Sequence, residues 1–196
     1  MPVLTSGQNR AKPSNGWLKS YYYLRFAVSA AWVLAAFTVA KTVPPLAAVM
    51  LVAYPLWDAL ANYVDAQRSG GLRSNRSQLL NFVVSIVTAI AVAIALGRSM
   101  NAVLAVYGVW AALSGVFQLL TAVRRWKTNG AQWAMILSGA QSALAGLFFV
   151  KMAGGTDAIG IVNVAPYAAF GAFYFLVSAV WLSVSDILRK SPQAAR

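Results

Sequence analysis

Four polar side chains in one apolar stretch are the residues of this chain that could do chemistry. They follow one another at spacings of four, four and three residues, as Tyr54, Asp58, Asn62 and Asp65. This spacing places all four on one face of a helix. A carboxylate inside a membrane costs about 2.5–3.5 kcal/mol on insertion scales, so we expect Asp58 to face protein or a wet cavity and not lipid.

The sequence leaves two interpretations of Asp58 open. In the first, its carboxyl group is a proton or cation site, with Tyr54 and Asn62 as hydrogen-bond partners. In the second, it is a structural contact to a polar side chain of another helix, for which the candidates are Asn81, Gln118, Gln141 and Ser142. Asp65 lies near the predicted cytoplasmic end of the stretch, where we expect it to be solvated or paired with a nearby Arg.

The residues available for catalysis are few. The chain has no Cys, no His and no Glu, so its only acids are Asp58, Asp65, Asp157 and Asp186. A thiolate nucleophile, a zinc–thiolate site and a histidine general base are therefore excluded. The acids are too scattered for a metal cluster. We predict a protein that is not an enzyme, with no catalytic residue, no metal site and no cofactor.

Composition predicts an all-α, polytopic membrane protein. Of the 196 residues, 60% are hydrophobic and only 10% are charged, whereas about a quarter of the residues of a soluble domain are charged. Six apolar stretches are long enough for helices that cross a hydrocarbon core of about 30 Å. We predict six transmembrane helices, at about 22–43, 45–65, 79–97, 100–123, 130–150 and 160–185.

Lys and Arg are distributed unevenly between these stretches. Thirteen of the 16 basic residues precede or open the first stretch or follow the second, fourth and sixth, and the other gaps hold only Lys41, Arg98 and Lys151. This positive-inside pattern predicts an inner (plasma) membrane protein with both termini in the cytoplasm. Arg25, which opens the first stretch, is expected to reach the interface.

The same charge distribution indicates the partners of the protein. The basic segments lie on one predicted face, so we expect the bilayer and the anionic head groups of its cytoplasmic leaflet as partners. Nucleic acid is not expected, because no basic stretch lies in a folded soluble module. Association with further copies of the chain stays open.

The even-numbered stretches share the pattern Tyr-x-x-aromatic-x-Ala-apolar. The pattern begins at Tyr54, Tyr107 and Tyr167, and predicts three helical hairpins, at 22–65, 79–123 and 130–185. They would be parallel repeats about an axis along the membrane normal. They form a transmembrane domain at 21–186, between a flexible cytoplasmic tail at 1–20 and a second cytoplasmic tail at 187–196. Chance similarity in a sequence rich in Ala and aromatic residues is the alternative.

Two local features concern helix packing. Pro55 has no N–H to donate to the carbonyl of Leu51, so we expect a neighbouring helix or side chain to satisfy that carbonyl. In the fifth stretch, small residues recur at helical spacing and predict a packing surface for another helix, made of Ser138, Gly139, Ala143 and Gly146.

Three segments together resemble a known family. They are Tyr-Gly-Val-Trp-Ala-Ala-Leu-Ser-Gly-Val at 107–116, Arg-Arg-Trp at 124–126, and Trp-Ala-Met-Ile-Leu-Ser-Gly-Ala-Gln-Ser-Ala-Leu-Ala-Gly-Leu at 133–147. Over about 100–150 the chain resembles the HdeD-type acid-resistance membrane proteins, which are built from a short hairpin repeat of unknown function. The first repeat departs from this pattern at Pro55, Asp58 and Asn62. The resemblance implies a six-helix inner-membrane protein tied to acid stress, with no catalytic residues to carry over.

Two classes of function fit these observations. The first is a non-enzymatic integral membrane protein of stress tolerance, chiefly to acid, that acts as a membrane scaffold or modulator. The alternative is a small proton-coupled transporter or channel that uses Asp58. The parallel repeats favour the transporter. Its weakness is the shortage of charge, because the sequence indicates one deeply embedded acid and no deeply embedded base.

Overall fold

The computed structural model describes residues 15–125 and 132–190, and these residues form six α-helices and no strand. Short 3-10 turns at Ala40–Thr42 and Leu72–Ser74 lie in the first two connections. The all-α class predicted from composition is therefore confirmed for this part of the chain. The helices are α1 Asn15–Thr38, α2 Pro44–Arg68, α3 Arg76–Leu96, α4 Met100–Arg125, α5 Gln132–Ala153 and α6 Ile161–Lys190.

Five of these helices, α2 to α6, are long and apolar enough to cross a membrane, which indicates an integral membrane protein. Helix α1 is long enough but less apolar, because it contains Lys19, Arg25 and the three tyrosines at 21–23. The sixth span therefore stays a prediction. Membrane passage of α1 depends on how its polar side chains are paired.

The helices extend beyond the predicted spans at several ends. Helix α1 begins at Asn15, so the last residues of the predicted N-terminal tail are helical. Helix α6 continues to Lys190, past the predicted end of the transmembrane domain at residue 186. Residues 1–14, 126–131 and 191–196 lie outside the described residues, and with them most of both predicted tails and Trp126 of the family resemblance.

The helices pack as a ring in which the closest pairs join different predicted hairpins. The most extensive contacts are those of α4 with α5, of α1 with α6, and of α2 with α3. Helices α1 and α2, like α5 and α6, make few close backbone contacts. Side-chain hydrogen bonds connect them instead: Trp32 Nε1 donates to the Met50 carbonyl at 2.9 Å, and Tyr174 donates to Gln141 Oε1 at 2.7 Å.

Glycine permits the closest of these contacts, between α4 and α5. A Cβ atom added at Gly115 would lie 2.5 Å from the carbonyl oxygen of Gly139. One added at Gly146 would lie 2.5 Å from the carbonyl oxygen of Gly108. The two backbones thus touch directly, as small residues permit in membrane helices. The predicted packing surface is confirmed at Gly139 and Gly146.

The two ends of the bundle differ in character. At one end, called the apolar end, buried apolar side chains fill the space between the helices, among them Trp32, Leu51, Val92, Val103, Leu104, Tyr107, Phe149 and Val164. These residues come from the C-terminal halves of α1, α3 and α5 and the N-terminal halves of α2, α4 and α6. At the other end, called the basic end, α2 ends at Arg68 and α3 begins at Arg76.

Candidate functional site: a polar cavity around an ion pair

Asp58 is the centre of a hydrogen-bonded group that joins three helices. It lies ten residues before the last residue of α2, about 15 Å along the helix axis from the basic end. Its Oδ1 accepts from the guanidinium of Arg25 on α1. Its Oδ2 accepts from the Asn62 amide at 3.0 Å and from the Ser85 hydroxyl of α3 at 2.8 Å. Both carboxylate oxygens are therefore occupied by donors.

Arg25 is the basic partner that the sequence interpretation lacked. Besides its ion pair with Asp58, it donates to the Tyr21 hydroxyl at 3.4 Å, and its Cζ lies 4.0 Å from the ring centroid of Phe175. The Arg25 and Asp58 side chains are only 14% and 22% exposed. The expectation that Arg25 reaches the interface and that no base is embedded was therefore wrong. The cause is that the Asp58 carboxylate and the ring of Phe175 lie within reach of the guanidinium at the same depth. Together they offset the cost of desolvating it.

The other predicted site residues separate into two groups. Asn62 bonds to Asp58 as expected, whereas Tyr54 does not, because its hydroxyl lies 3.4 Å from that of Ser29. Asp65 lies nearer the basic end and accepts from Gln78 Nε2 at 3.1 Å instead of from an Arg side chain. The four residues share a helix face, but only Asp58 and Asn62 are bonded to each other.

The interhelical partner of Asp58 was also predicted wrongly. None of the four candidate polar residues bonds to it; the residue that does is Ser85, whose Oγ in turn accepts from Trp110 Nε1 at 3.2 Å. A chain of hydrogen bonds thus runs from α4 through α3 to α2. The sequence does contain a signal for Ser85, because Phe26-Ala-Val-Ser29 is similar to Phe82-Val-Val-Ser85. This similarity places the two serines at equivalent points of α1 and α3.

A serine of each odd-numbered helix is hydrogen-bonded to an aromatic residue of the next helix, always 25 residues later. The pairs are Ser29 with Tyr54 at 3.4 Å, Ser85 with Trp110 at 3.2 Å, and Ser142 with Tyr167 at 3.0 Å. In this register Trp110, and not Tyr107, corresponds to Tyr54 and Tyr167. The predicted register is therefore wrong by three residues in the middle hairpin, while the hairpin repeat itself stays a prediction.

A cavity of about 540 Å³ opens inside the bundle beside this group. It reaches from Ser77 and Gln78, at the start of α3, to the rings of Tyr54, Trp110 and Tyr167. The only formal charges among the described residues that line it are those of Arg25 and Asp58. The other polar lining residues come from all six helices: Tyr22, Ser29, Trp57, Asn62, Asn81, Ser114, Gln118, Ser138, Gln141, Ser142, Tyr174 and Ser178.

Three aromatic rings separate the cavity from the apolar end. The ring of Trp110 lies edge-on to those of Tyr54 and Tyr167, with 6.1 Å between centroids in each case. Tyr107 contacts Trp110 from the apolar side at 5.6 Å. On the apolar side of these rings lies a cluster of buried apolar residues. The cavity therefore ends near the middle of the bundle.

The arrangement can bind a small molecule by hydrogen bonds more readily than it can hold a metal. Within residues 15–125 and 132–190, no three side chains of the types His, Cys, Asp and Glu come together. A volume of several hundred Å³ with a few convergent polar groups is typical of small-molecule sites. At membrane depth such groups are costly, so their concentration in the protein interior makes this cavity the candidate functional site.

Part of this site falls in a stretch similar to a known family. Residues 83–151, from α3 to α5, match a family described as a short repeat of unknown function (DUF308). The match covers less than half of the chain and overlaps the residues on which the family resemblance depends. No curated protein and no solved structure matches the chain.

Proposed function

We propose that this integral membrane protein is a transporter that takes a small solute from the basic end into its central cavity. The observation that carries the proposal is the polar cavity, walled by all six helices and ending at the rings of Tyr54, Trp110 and Tyr167. Solute sites between helices at mid-membrane depth, closed on one side, are typical of transporters that alternate between two open states.

The free-energy cost of placing charged and polar groups around the cavity favours a transporter over a scaffold. An embedded Arg or Asp costs about 2.5–3.5 kcal/mol each on insertion scales, and an apolar core would hold six helices together without either. A scaffold needs only the packing seen at the apolar end and between α4 and α5. Polar residues around an open space are explained by a molecule that enters it.

The pairing of Asp58 changes the kind of transporter that we propose. Each carboxylate oxygen already accepts from a protein donor, and Arg25 provides the counter-charge. These contacts favour a role for Asp58 in holding α1, α2 and α3 together around the cavity. They do not favour a role as an isolated proton carrier. Proton coupling through Asp58 would require this group of contacts to break in each cycle.

Acid tolerance, the plasma membrane and cytoplasmic termini stay part of the proposal on the basis of the sequence. The uneven distribution of Lys and Arg supports the orientation, with the basic end at the cytoplasm and anionic head groups as its partners. In that orientation the cavity opens to the cytoplasm. A role in acid stress is supported by the family resemblance alone.

Blocking the cavity tests the proposal. Gly171 lines it, and a Cβ added there would meet only the Tyr54 hydroxyl at 3.6 Å, an ordinary contact. Gly171→Phe should therefore keep the fold while its ring occupies the cavity. We expect solute uptake into proteoliposomes to fall at least about tenfold. The matched control is Gly160→Phe before α6, where an added Cβ meets nothing within 4 Å.

The comparison has two outcomes that contradict transport. One is uptake by the wild-type protein that does not exceed that of protein-free liposomes for any of several polar solutes and ions. The other is equal uptake by Gly171→Phe and Gly160→Phe, with both variants folded by circular dichroism and gel filtration. Loss of uptake in Gly171→Phe alone supports the proposal.

A further inference from the structure

The charge of the cavity is balanced within the protein. Arg25 and Asp58 neutralise each other, and the remaining described residues of the lining are uncharged at neutral pH. A charged solute would enter a low-dielectric space that offers no free counter-charge. To find one it would have to separate Arg25 from Asp58, and the cation–π contact with Phe175 would hold the guanidinium back.

Apart from the buried Nε–H of Arg25, the hydrogen-bonding capacity that remains free is neutral. Within the described chain, the lining side chains of Asn81, Ser114 and Gln118 make no hydrogen bond to another protein group. The indole Nε1 of Trp57, also in the lining, is buried without a partner there. Amide and hydroxyl groups both donate and accept hydrogen bonds, whereas a carboxylate only accepts and an ammonium group only donates.

A hydroxyl group, like the amides and hydroxyls of this lining, both donates and accepts hydrogen bonds. A molecule with several hydroxyls could give and take bonds along α3 and α4, where Asn81, Ser114 and Gln118 lie. The nearby rings of Tyr54, Trp57 and Trp110 offer apolar faces to its carbon skeleton. A carboxylate would use only the donors of this lining, and an ammonium group would use only its acceptors.

We propose that the cavity binds an uncharged, hydroxyl-rich solute of the polyol or monosaccharide class, with Asn81 and Gln118 as specificity-determining residues. This inference depends on the proposed transport function. It adds the class of the solute and the residues of α3 and α4 that recognise it.

Uptake of a panel of solutes tests the class. Proteoliposomes that contain the wild-type protein are mixed with a hyperosmotic solution of erythritol, xylitol, glucose, glycine, sodium acetate or potassium chloride. Light scattering then follows reswelling as the solute enters. We expect at least one of the three uncharged solutes to enter at least about tenfold faster than through protein-free liposomes, with no comparable increase for the other three.

The outcomes separate this inference from the proposed function. Faster uptake of glycine or of a salt than of any polyol or sugar would overturn the solute class and leave transport standing. No uptake of any solute above the protein-free rate would overturn both. Selective uptake of an uncharged solute supports both.

A substitution of Gln118 tests whether this lining residue recognises the solute. Gln118→Leu keeps the approximate size of the side chain and removes the amide that would bond to the solute, so we expect the half-saturating concentration of the transported polyol to rise roughly fivefold. Gln118→Asn retains an amide and should restore most of the wild-type value. An unchanged half-saturating concentration in folded Gln118→Leu would contradict recognition by Gln118, even if polyol is transported.

Discussion

The hydroxyl of Tyr107 donates to the carbonyl oxygen of Leu51 across 2.6 Å. That carbonyl is the one that Pro55, with no N–H, leaves without its partner inside α2. Both Tyr107 and Leu51 are fully buried. The bond ties α4 to α2 at the point where α2 lacks an internal bond, so the sequence expectation of an outside partner for this carbonyl is confirmed.

Tyr107→Phe should lower stability, because it leaves a buried carbonyl oxygen without a donor. We expect a loss of about 1–3 kcal/mol in the free energy of unfolding. Equilibrium unfolding in mixed micelles of mild detergent and sodium dodecyl sulfate would measure it. Tyr63→Phe, in a residue that is 40% exposed, is the matched control and should change little. Equal loss in both variants would show that the Leu51 bond contributes nothing specific.

The ion pair of Arg25 and Asp58 makes a double-mutant cycle informative. In the register of the serine–aromatic pairs, Asn81 corresponds to Arg25 and Ser114 to Asp58, so the substitutions are Arg25→Asn and Asp58→Ser. Each single variant leaves one buried charge unpaired, and we expect a loss of about 3–5 kcal/mol. The double variant should recover most of that loss. Unfolding in the same mixed micelles measures all three.

An ion pair whose basic residue is more exposed provides the control for this cycle. Lys19 Nζ and Asp186 Oδ2 lie 3.6 Å apart with side chains 35% and 22% exposed. Lys19→Asn should cost less than about 1 kcal/mol, because the Lys19 side chain is more exposed to solvent than that of Arg25. If the losses of Arg25→Asn and Asp58→Ser simply add in the double variant, the two residues do not form a coupled pair.

The α4–α5 contact should not tolerate even a methyl group. Gly115→Ala would place its Cβ 2.5 Å from the Gly139 carbonyl oxygen, so the two helices would have to separate. We expect a loss of about 1–3 kcal/mol and a lower melting temperature in detergent. Gly16→Ala in α1, where a Cβ meets nothing within 4 Å, should be neutral or slightly stabilising. A wild-type melting temperature for Gly115→Ala would disprove the close approach.

Labelling from outside the cell tests the orientation of the protein in the membrane. Because the chain has no native Cys, only the introduced Cys can react. Ser74→Cys lies at the basic end and Thr156→Cys in the connection between α5 and α6; both positions are exposed. A membrane-impermeant maleimide should label Thr156→Cys in intact cells and Ser74→Cys only after lysis. The opposite result would invert the predicted topology and place the opening of the cavity outside the cell.

The sequence predicted what depends on hydropathy and on spacing within one helix. The apolar stretches gave the helices, and the spacing of Asp58 and Asn62 gave one bond of the site. Arg25 was missed because its partner lies on another helix, and its position near the end of an apolar stretch is also compatible with reaching the interface. Two opposite charges come to the same depth only when the helices assemble into the bundle. The sequence of one helix does not show this pairing.

The error in register has a simple geometric cause. In the pattern Tyr-x-x-aromatic, both aromatic residues lie on nearly the same helix face, one turn apart. A match of such patterns can therefore slip by one turn without changing the face. The hydrogen bond of Ser85 to Trp110, and not to Tyr107, is the contact that separates the two alignments.

The ion pair has a consequence for how the chain enters the bilayer during synthesis. Helix α1, the only one of the six that is not apolar enough to count as a span by itself, contains Arg25, and the compensating carboxylate arrives only with α2, after a connection of a few residues. We expect α1 to remain at the translocon until Asp58 has emerged and then to integrate together with α2. Truncated chains that end before residue 58 should therefore leave α1 extractable by alkali, whereas chains that include α2 should not. Arg25 would then set the order of membrane integration as well as one wall of the folded cavity.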